Sequence, residues 1–252
     1  MQSQTLDING QSLAFFYHEV PNSENLIVFL HGLGCSKRSF HPVLSDFRFL
    51  AHSFLMIDLA GFGESSKSDH FSYAMEDQAV LVEQLVARFN PKHVNLVVHS
   101  MGGAIGLLFS SVFYQRVSAF ANLEGNLIGA DCGLYSRGIV RLHFDMYRDR
   151  LFPKQIRDAA GFPMLDLNQT TPIAMYQSAQ SLVQWSDSGA LLEKYGMLPC
   201  RKMYFYGDSN YQSEVLKVLP AESVLGIPNS GHAMMFDNPD GFKNALYQFL
   251  FG

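Results

Sequence analysis

Short runs of apolar residues recur along the chain and are separated by longer segments with a different periodicity. The runs are almost continuously hydrophobic, without the alternation expected of a sheet that exposes one face to water. Their sequences are LAFFYH, LIVFLH, SFLMID, VNLVVH, SAFANL, KMYFYG and ESVLGI, beginning at positions 13, 26, 53, 94, 118, 202 and 222. Such runs are typical of strands buried on both faces. The pattern therefore predicts a mostly parallel central sheet.

The segments between the runs favour helices. In SYAMEDQAVLVEQLVARF (72–89), apolar residues recur at helical spacing among acidic ones, and Ser72 stands where an N-cap is expected. A final helix is predicted after Asn238, a capping residue followed by Pro239 at the first helical position. Alternating strands and helices predict an α/β fold with helices on both faces of the sheet. In that fold a binding site lies at the carboxyl ends of the strands.

The alternation breaks between about residues 127 and 200. This segment is too long for a plain crossover, and it carries four helix-breaking prolines, Pro153, Pro163, Pro172 and Pro199. We interpret 127–200 as a helical cap, or lid, inserted between two strands. Residues 1–126 and 201–252 are then expected to form the core.

Composition indicates an ordinary globular domain. The chain has 252 residues, of which 48% are hydrophobic and 16% charged, enough for one sizeable core. A formal charge of −5 offers no basic surface for a phosphate backbone, so we expect no nucleic-acid partner. No apolar stretch approaches the length of a membrane span, so no membrane association is predicted. The oligomeric state is left open.

The cysteines and the N-terminus point to a reducing compartment. Cys35, Cys132 and Cys200 are odd in number and widely spread, which fits free thiols better than a disulfide framework. The first twenty residues lack the basic region, apolar run and cleavage site of a signal peptide. A cytoplasmic location is therefore expected.

The segment LVVHSMGGAIG carries a candidate nucleophile. It follows a predicted strand and opens a helix rich in small residues, a turn that forces a serine outward at the end of the sheet. Ser100 is the predicted nucleophile, with Gly102 and Gly103 allowing the backbone to fold back on itself. Val98 departs from the pattern, because a small residue is usual two positions before the serine.

A serine hydroxyl needs a base and an oxyanion site. In NSGHAMMFDNP, His232 lies after the last predicted strand and before the last helix, where it can reach the same end of the sheet. Two backbone amides must also face the oxyanion. We expect them to come from Met101, directly after the serine, and from Leu33 in FLHGLG, which ends another strand.

These segments together resemble the α/β-hydrolase superfamily, in its form with an inserted helical cap. The landmarks are HGLG at 31, DLAGFGESSK at 58, HSMGGA at 99, GD at 207 and SGH at 230, and they occur in the superfamily's order along nearly the whole chain. The resemblance implies an α/β-hydrolase fold and a serine hydrolase. It leaves the substrate open, because the superfamily contains many chemistries.

No cofactor and no metal are predicted. The GxG of DLAGFGESSK lacks the third glycine of a dinucleotide fingerprint, and no HExxH or paired-cysteine spacing is present. We interpret these glycines as part of a tight loop that Asp58 fixes by hydrogen bonding.

The sequence offers more than one carboxylate to orient His232. The superfamily usually places this acid three residues after the glycine that ends the next-to-last strand, and that position is Asn210. Glu124, directly after the preceding strand, resembles the acid position of haloalkane dehalogenases and is preferred. Asp208 is the alternative, and Asp131 is a weaker one.

The predicted function is hydrolysis of a small or medium apolar carboxylic ester, or a related acyl bond, through an acyl-serine. Some apolar lid residues should line the pocket: Phe144, Met146, Tyr147, Phe152, Phe162, Met164, Met175, Tyr176 and Trp185. Lid arginines Arg137, Arg141, Arg148 and Arg150 could bind a substrate carboxylate, although a solvated surface role is favoured. The alternatives are an acyltransferase or carbon–carbon bond hydrolase with the same triad, and a catalytically silent ligand-binding protein.

Overall fold

The computed structural model describes residues 2–252, apart from the side chain of Leu134. An eight-stranded sheet runs through the molecule in the order β1-β2-β4-β3-β5-β6-β7-β8. Strands β3 to β8 are parallel, whereas β2 pairs antiparallel with both β1 and β4. The strands are β1 Gln4–Ile8, β2 Gln11–His18, β3 Asn25–Leu30, β4 Ser53–Ile57, β5 His93–His99, β6 Val117–Leu123, β7 Arg201–Gly207 and β8 Val224–Ile227. The predicted mostly parallel sheet is confirmed.

Eleven α-helices occur among the described residues. They are α1 Phe47–Leu50, α2 Met75–Ala87, α3 Met101–Leu107, α4 Ser111–Tyr114, α5 Gly133–Val140, α6 Phe144–Met146, α7 Phe152–Asp158, α8 Pro172–Asp187, α9 Ala190–Gly196, α10 Met234–Asp237 and α11 Pro239–Phe251. A short π-helix, Tyr147–Leu151, joins α6 to α7. Short 3-10 turns connect several of the others.

Two hydrophobic clusters lie on opposite faces of the sheet. One contains β3 and β4 side chains such as Phe29 and Phe54 and is covered by Phe242 and Leu246 of α11. The other cluster lies on the second face of the sheet, where side chains of the strands pack against helices α2, α3 and α8. Successive side chains of a strand point to opposite faces, so a strand that is apolar at every position must be covered on both sides. The prediction of helices on both faces is confirmed.

Two local expectations from sequence were wrong or incomplete. Helix α2 begins at Met75 with Ala74 as its N-cap residue, so Ser72 is not the cap; its hydroxyl instead bonds the side chain of Asp77. Strand β1 was not predicted, because it lies at the sheet edge and its residues are mostly exposed. The last helix does begin at Pro239 with Asn238 as its cap.

The segment between β6 and β7 contains helices α5 to α9. Its N-terminal part and the loop after α7 reach the carboxyl ends of the central strands, where they line a cavity described below. The division of the chain into a core and a lid stays a prediction. Among residues 2–252, no helix has both the length and the hydrophobicity needed to cross a bilayer.

Candidate active site

Ser100 occupies a sharp turn between strand β5 and helix α3. Its backbone dihedrals are φ 52° and ψ −120°, a conformation that is unfavourable for a residue with a Cβ. The amide of Gly103 donates to the Ser100 carbonyl at 2.8 Å and closes the turn. The Ser100 side chain lines a cavity at the carboxyl end of the sheet. This is the geometry expected of the predicted nucleophile.

The turn can form because the helix that follows it approaches the sheet very closely. A Cβ on Gly102 would lie 2.5 Å from the carbonyl oxygen of Leu30 on β3. Val98, the departure noted in the sequence, is fully buried and faces Gly106, where an added Cβ would lie 3.2 Å from Val98 Cγ1. The missing side chain at Gly106 therefore provides the room that Val98 requires.

Glu124 and His232 meet beside Ser100. Glu124 follows the end of β6 with a positive φ of 44°, and its Oε2 lies 2.8 Å from His232 Nδ1. Two further donors hold the carboxylate: the Gly207 amide at 2.8 Å from Oε1, and Asn210 Nδ2 at 3.0 Å from both oxygens. These groups come from neighbouring parallel strands β6 and β7, whose carboxyl ends lie side by side.

The surroundings of Glu124 keep it ionised. Burial by itself would raise the pKa of this carboxyl, but the hydrogen bonds from His232, Asn210 and the Gly207 amide together hold the pKa below its ordinary value. Because Nδ1 of His232 faces the carboxylate, that nitrogen carries the proton in the neutral ring. Nε2 is then the basic nitrogen of His232.

Asp208, the alternative acid, is engaged elsewhere. Its Oδ2 accepts the Asn229 amide at 2.9 Å and its Oδ1 accepts the Ser230 amide at 3.2 Å. It therefore fixes the loop that leads to His232. Asn210, at the position where the family resemblance expects the acid, donates to Glu124 and does not replace it.

His99 is a residue of the site that the sequence analysis did not single out. Its Nε2 donates to the His232 carbonyl at 3.0 Å, and the centroids of the two rings are 4.6 Å apart. Burial, followed by the nearby His232, lowers the pKa of His99 to about 3, so the ring is neutral at ordinary pH. The sequence signal that could have identified His99 is its position at the end of an apolar strand, directly before Ser100.

The loop after β3 lies directly against Ser100. A Cβ on Gly32 would be 2.9 Å from Ser100 Cβ and 3.4 Å from its Oγ, so only glycine permits this approach. Leu33 follows and lines the same cavity. The preceding His31 is fully buried and accepts the Leu59 amide at 3.0 Å through Nε2.

A buried ion pair anchors the far end of this loop. Lys37 Nζ lies 2.5 Å from Asp58 Oδ2, and both side chains are almost completely buried. Asp58 also accepts the Lys37 amide at 2.6 Å and the Glu64 amide at 2.8 Å. The predicted role of Asp58 in fixing the DLAGFGESSK loop agrees with these contacts.

The cavity beside Ser100 has a volume of about 620 Å³. Its apolar wall includes Leu33, Tyr135, Met164 and Leu165, and its polar wall includes Asp131 and Glu214. Of the nine residues of the 127–200 segment predicted as candidates for the pocket, Met164 lines it. The described residues that line the cavity include neither lysine nor arginine.

Those arginines of the 127–200 segment that form ion pairs do so with carboxylates of the same segment. Arg137 pairs with Asp187 at 2.5 Å, and Arg148 contacts Asp145 at 2.9 Å and Asp149 at 2.7 Å. The surface role favoured from sequence fits these contacts. In the described part of the chain, no group of three or more His, Cys, Asp or Glu side chains is arranged to hold a metal ion.

Sequence comparison identifies relatives over part of the chain. A putative esterase/lipase of Mycoplasma genitalium is 26% identical over 106 residues, which are 42% of this chain and 40% of that protein. An uncharacterized hydrolase of Bacillus subtilis, YugF, is 32% identical over 116 residues, which are 46% of this chain and 41% of that protein. The matched region is thus less than half of each of these relatives.

Solved structures match the whole chain. The N-acyl homoserine lactonase AidH, complexed with N-butanoyl homoserine, has a TM-score of 0.78 at 17% identity, covering 99% of this chain and 96% of that one. A thermophilic esterase from Thermogutta terrifontis has a TM-score of 0.72 at 17% identity, covering 99% and 98%. These likenesses show the fold.

A family model described as the alpha/beta hydrolase family matches residues 27–245. The chain therefore belongs to the alpha/beta hydrolase family.

Proposed function

We propose that this protein hydrolyses small or medium apolar carboxylic esters, or related acyl bonds, through an acyl-serine intermediate. One observation carries the proposal: Ser100, His232 and Glu124 line a single cavity, with Glu124 Oε2 2.8 Å from His232 Nδ1. A serine on a strained strand-to-helix turn, a histidine and a buried carboxylate form the arrangement that activates a hydroxyl for acyl transfer.

Each residue of this triad has a distinct role. His232 Nε2 accepts the Ser100 proton as Oγ attacks the carbonyl carbon, and it later returns that proton to the departing alcohol. Glu124 remains ionised, orients the ring and stabilises the imidazolium. A water molecule, deprotonated by His232, then attacks the acyl-serine; the acid is released as His232 returns the proton to Ser100 Oγ.

The amides of Leu33 and Met101 are assigned to the oxyanion. Met101 begins helix α3, where backbone N–H groups lack partners within the helix and carry the positive end of its dipole. The close contact between Gly32 and Ser100 supports an approach of the Leu33 amide to the reacting carbonyl. Two preorganised donors there would stabilise the charge that develops on attack.

The cavity supports a small uncharged acyl compound as the substrate. Its apolar wall can cover an alkyl or aryl group, and its described lining residues include no lysine or arginine to hold a phosphate. The esterase and lipase names of the sequence relatives agree with this class.

The departures that favoured a silent ligand-binding protein have structural explanations. Gly106 leaves room for the side chain of Val98. Glu124 supplies the carboxylate that contacts His232, which Asn210 at the usual acid position cannot supply. Hydrolysis and acyl transfer share the same triad. Product analysis with a competing alcohol separates them.

The first test is labelling of the serine by a fluorophosphonate probe. We expect rapid labelling of Ser100, located by peptide mass, and none in Ser100→Ala. Glu124→Gln should slow labelling by about 10³–10⁴-fold, as expected when the histidine loses its carboxylate partner. Asp208→Asn is the matched control. If Asp208→Asn slows labelling with its fold intact while Glu124→Gln labels as fast as wild type, Asp208 is the functional acid.

A further inference from the structure

A second cavity lies in the 127–200 segment, next to the active-site cavity. It has a volume of about 490 Å³ and lies between helix α5, helix α7 and the loop that follows α7. Its apolar lining consists of Tyr135, Gly138, Leu151, Ala159, Phe162 and Leu165. Phe162 is 63% exposed, so the cavity is a groove open to solvent.

The groove and the active-site cavity share a wall. Tyr135 and Leu165 line both of them. The backbone of Leu165 is held to the core, because it bridges Cys35 and the next amide, Asp166, donates to Gly34 at 2.9 Å. Apolar surface therefore continues from the wall beside Ser100, across two side chains, into the groove.

Gly138 lines the groove beside open space. It lies inside helix α5, where glycine is less favourable than alanine by about 1 kcal/mol. Its φ is not positive, and a Cβ built on it would meet nothing within 4 Å. Neither backbone conformation nor close packing accounts for this glycine. The open space beside it can take a side chain larger than alanine.

Two polar residues at the edge of the groove are engaged by neighbouring side chains. Gln155 Oε1 accepts the Tyr147 hydroxyl at 3.1 Å, and Asp158 pairs with Lys154 on the surface. An occupant of the groove would therefore be held mainly by apolar contact.

We infer that this groove is a subsite for the distal part of a substrate's alkyl chain, whose carbonyl lies at Ser100. The chain passes between Tyr135 and Leu165 and lies against Ala159 and Phe162. This inference rests on the proposed function and narrows its substrate class to esters of medium-length, unbranched acyl chains. Each methylene buried in the groove adds favourable transfer free energy.

The test compares butanoyl and decanoyl p-nitrophenyl esters in three proteins. They are the wild type, Gly138→Ala and Gly138→Leu, in which the leucine side chain extends into the open space of the groove. The wild type should have the higher kcat/KM for the decanoyl ester. Gly138→Leu should lower that value by about tenfold or more, because several methylenes lose their contacts, and should leave the butanoyl value within about twofold.

Gly138→Ala should behave as wild type with both esters, and unchanged butanoyl turnover in Gly138→Leu reports that the fold is intact. Equal kcat/KM values for the two esters in the wild type, or an equal loss of both in Gly138→Leu with an unchanged melting temperature, would overturn the inference. Labelling of Ser100 by a short-chain fluorophosphonate separates the two proposals. If Ser100 is labelled and the butanoyl ester is hydrolysed without a chain-length effect, the groove assignment fails and the hydrolase proposal stands.

Discussion

The carboxylate that orients the histidine usually stands at the position of Asn210. Here Glu124 carries that carboxylate, and Asn210 binds it. Asn210 supplies an amide that holds the carboxylate, and Glu124 supplies the charge that faces His232. The two residues follow neighbouring parallel strands, so their side chains converge although they are 86 positions apart. The arrangement suggests that the charge can be moved from one strand end to the other.

We therefore expect an exchange of the two side-chain types to restore activity. Glu124→Gln alone should lower kcat/KM for an ester by about 10³–10⁴-fold, because the imidazolium loses its counter-charge. Adding Asn210→Asp returns a carboxylate to the same cluster, and the glutamine introduced at position 124 can donate an amide hydrogen bond to it. The double variant should recover at least about tenfold over Glu124→Gln, measured by steady-state kinetics.

Asn210→Asp on its own is the matched control. It brings a second carboxylate against Glu124, so it should reduce both activity and stability through like-charge repulsion. Strict additivity of the two single losses in the double variant would show that position 210 cannot supply the charge to His232.

For the strands and helices, much of the architecture can be predicted from the sequence. Continuous apolar runs mark buried strands, because both faces of the sheet must be covered. Edge strand β1 lacks that signal, since most of its residues face water. The ion pair of Lys37 with Asp58 and the contact of His99 with His232 were not predicted, because they depend on which distant loops meet.

Helix α3 depends on close contact with the turn that carries Glu124. A Cβ on Gly103 would lie 2.7 Å from the Cα of Gly125, and backbone cannot rotate away as a side-chain tip can. Gly103→Ala should therefore separate the Ser100 and Glu124 turns. We expect it to lower the free energy of unfolding by about 1–3 kcal/mol, the range for overpacking, and to reduce kcat.

Gly138→Ala in helix α5 is the comparison for this change, because it adds the same methyl group where nothing lies within 4 Å. It should raise the free energy of unfolding slightly, by up to about 1 kcal/mol, through helix propensity. Urea denaturation of both variants measures the difference. Equal stability changes in the two helices would show that the contact between Gly103 and Gly125 does not constrain the fold.

At the scale of the whole molecule, charge is distributed so that the active-site cavity is acidic. The net charge is −5, and the described residues lining the cavity include three carboxylates, Glu124, Asp131 and Glu214, and no lysine or arginine. Arg137 and Arg148 instead pair with carboxylates of the 127–200 segment. Because a cleft lined by one sign of charge focuses its field, the cavity should disfavour anionic substrates.

Asp131 contributes to this field in a pH-dependent way. Its Oδ2 accepts the amides of Leu127 and Ile128 at 2.8 and 2.9 Å. Burial raises the pKa of Asp131 above the ordinary value. A raised pKa means that the carboxyl gains its charge only as pH rises through that higher value, so discrimination against anions should increase with pH over this range.

Three butanoate esters test this expectation: a choline ester, its neutral carbon isostere, and an analogue whose alcohol part carries a carboxylate. At pH 8 and low salt, kcat/KM should fall in that order, with the anionic ester about tenfold below the neutral one. Added salt should narrow the difference in kcat/KM between these two esters.

Asp131→Asn keeps an oxygen to accept both amides and removes the charge. It should raise the ratio of the anionic to the neutral value while leaving the neutral value nearly unchanged. A ratio that is the same in wild type and Asp131→Asn, and insensitive to salt, would mean that the shape of the cavity, and not its charge, selects the substrate.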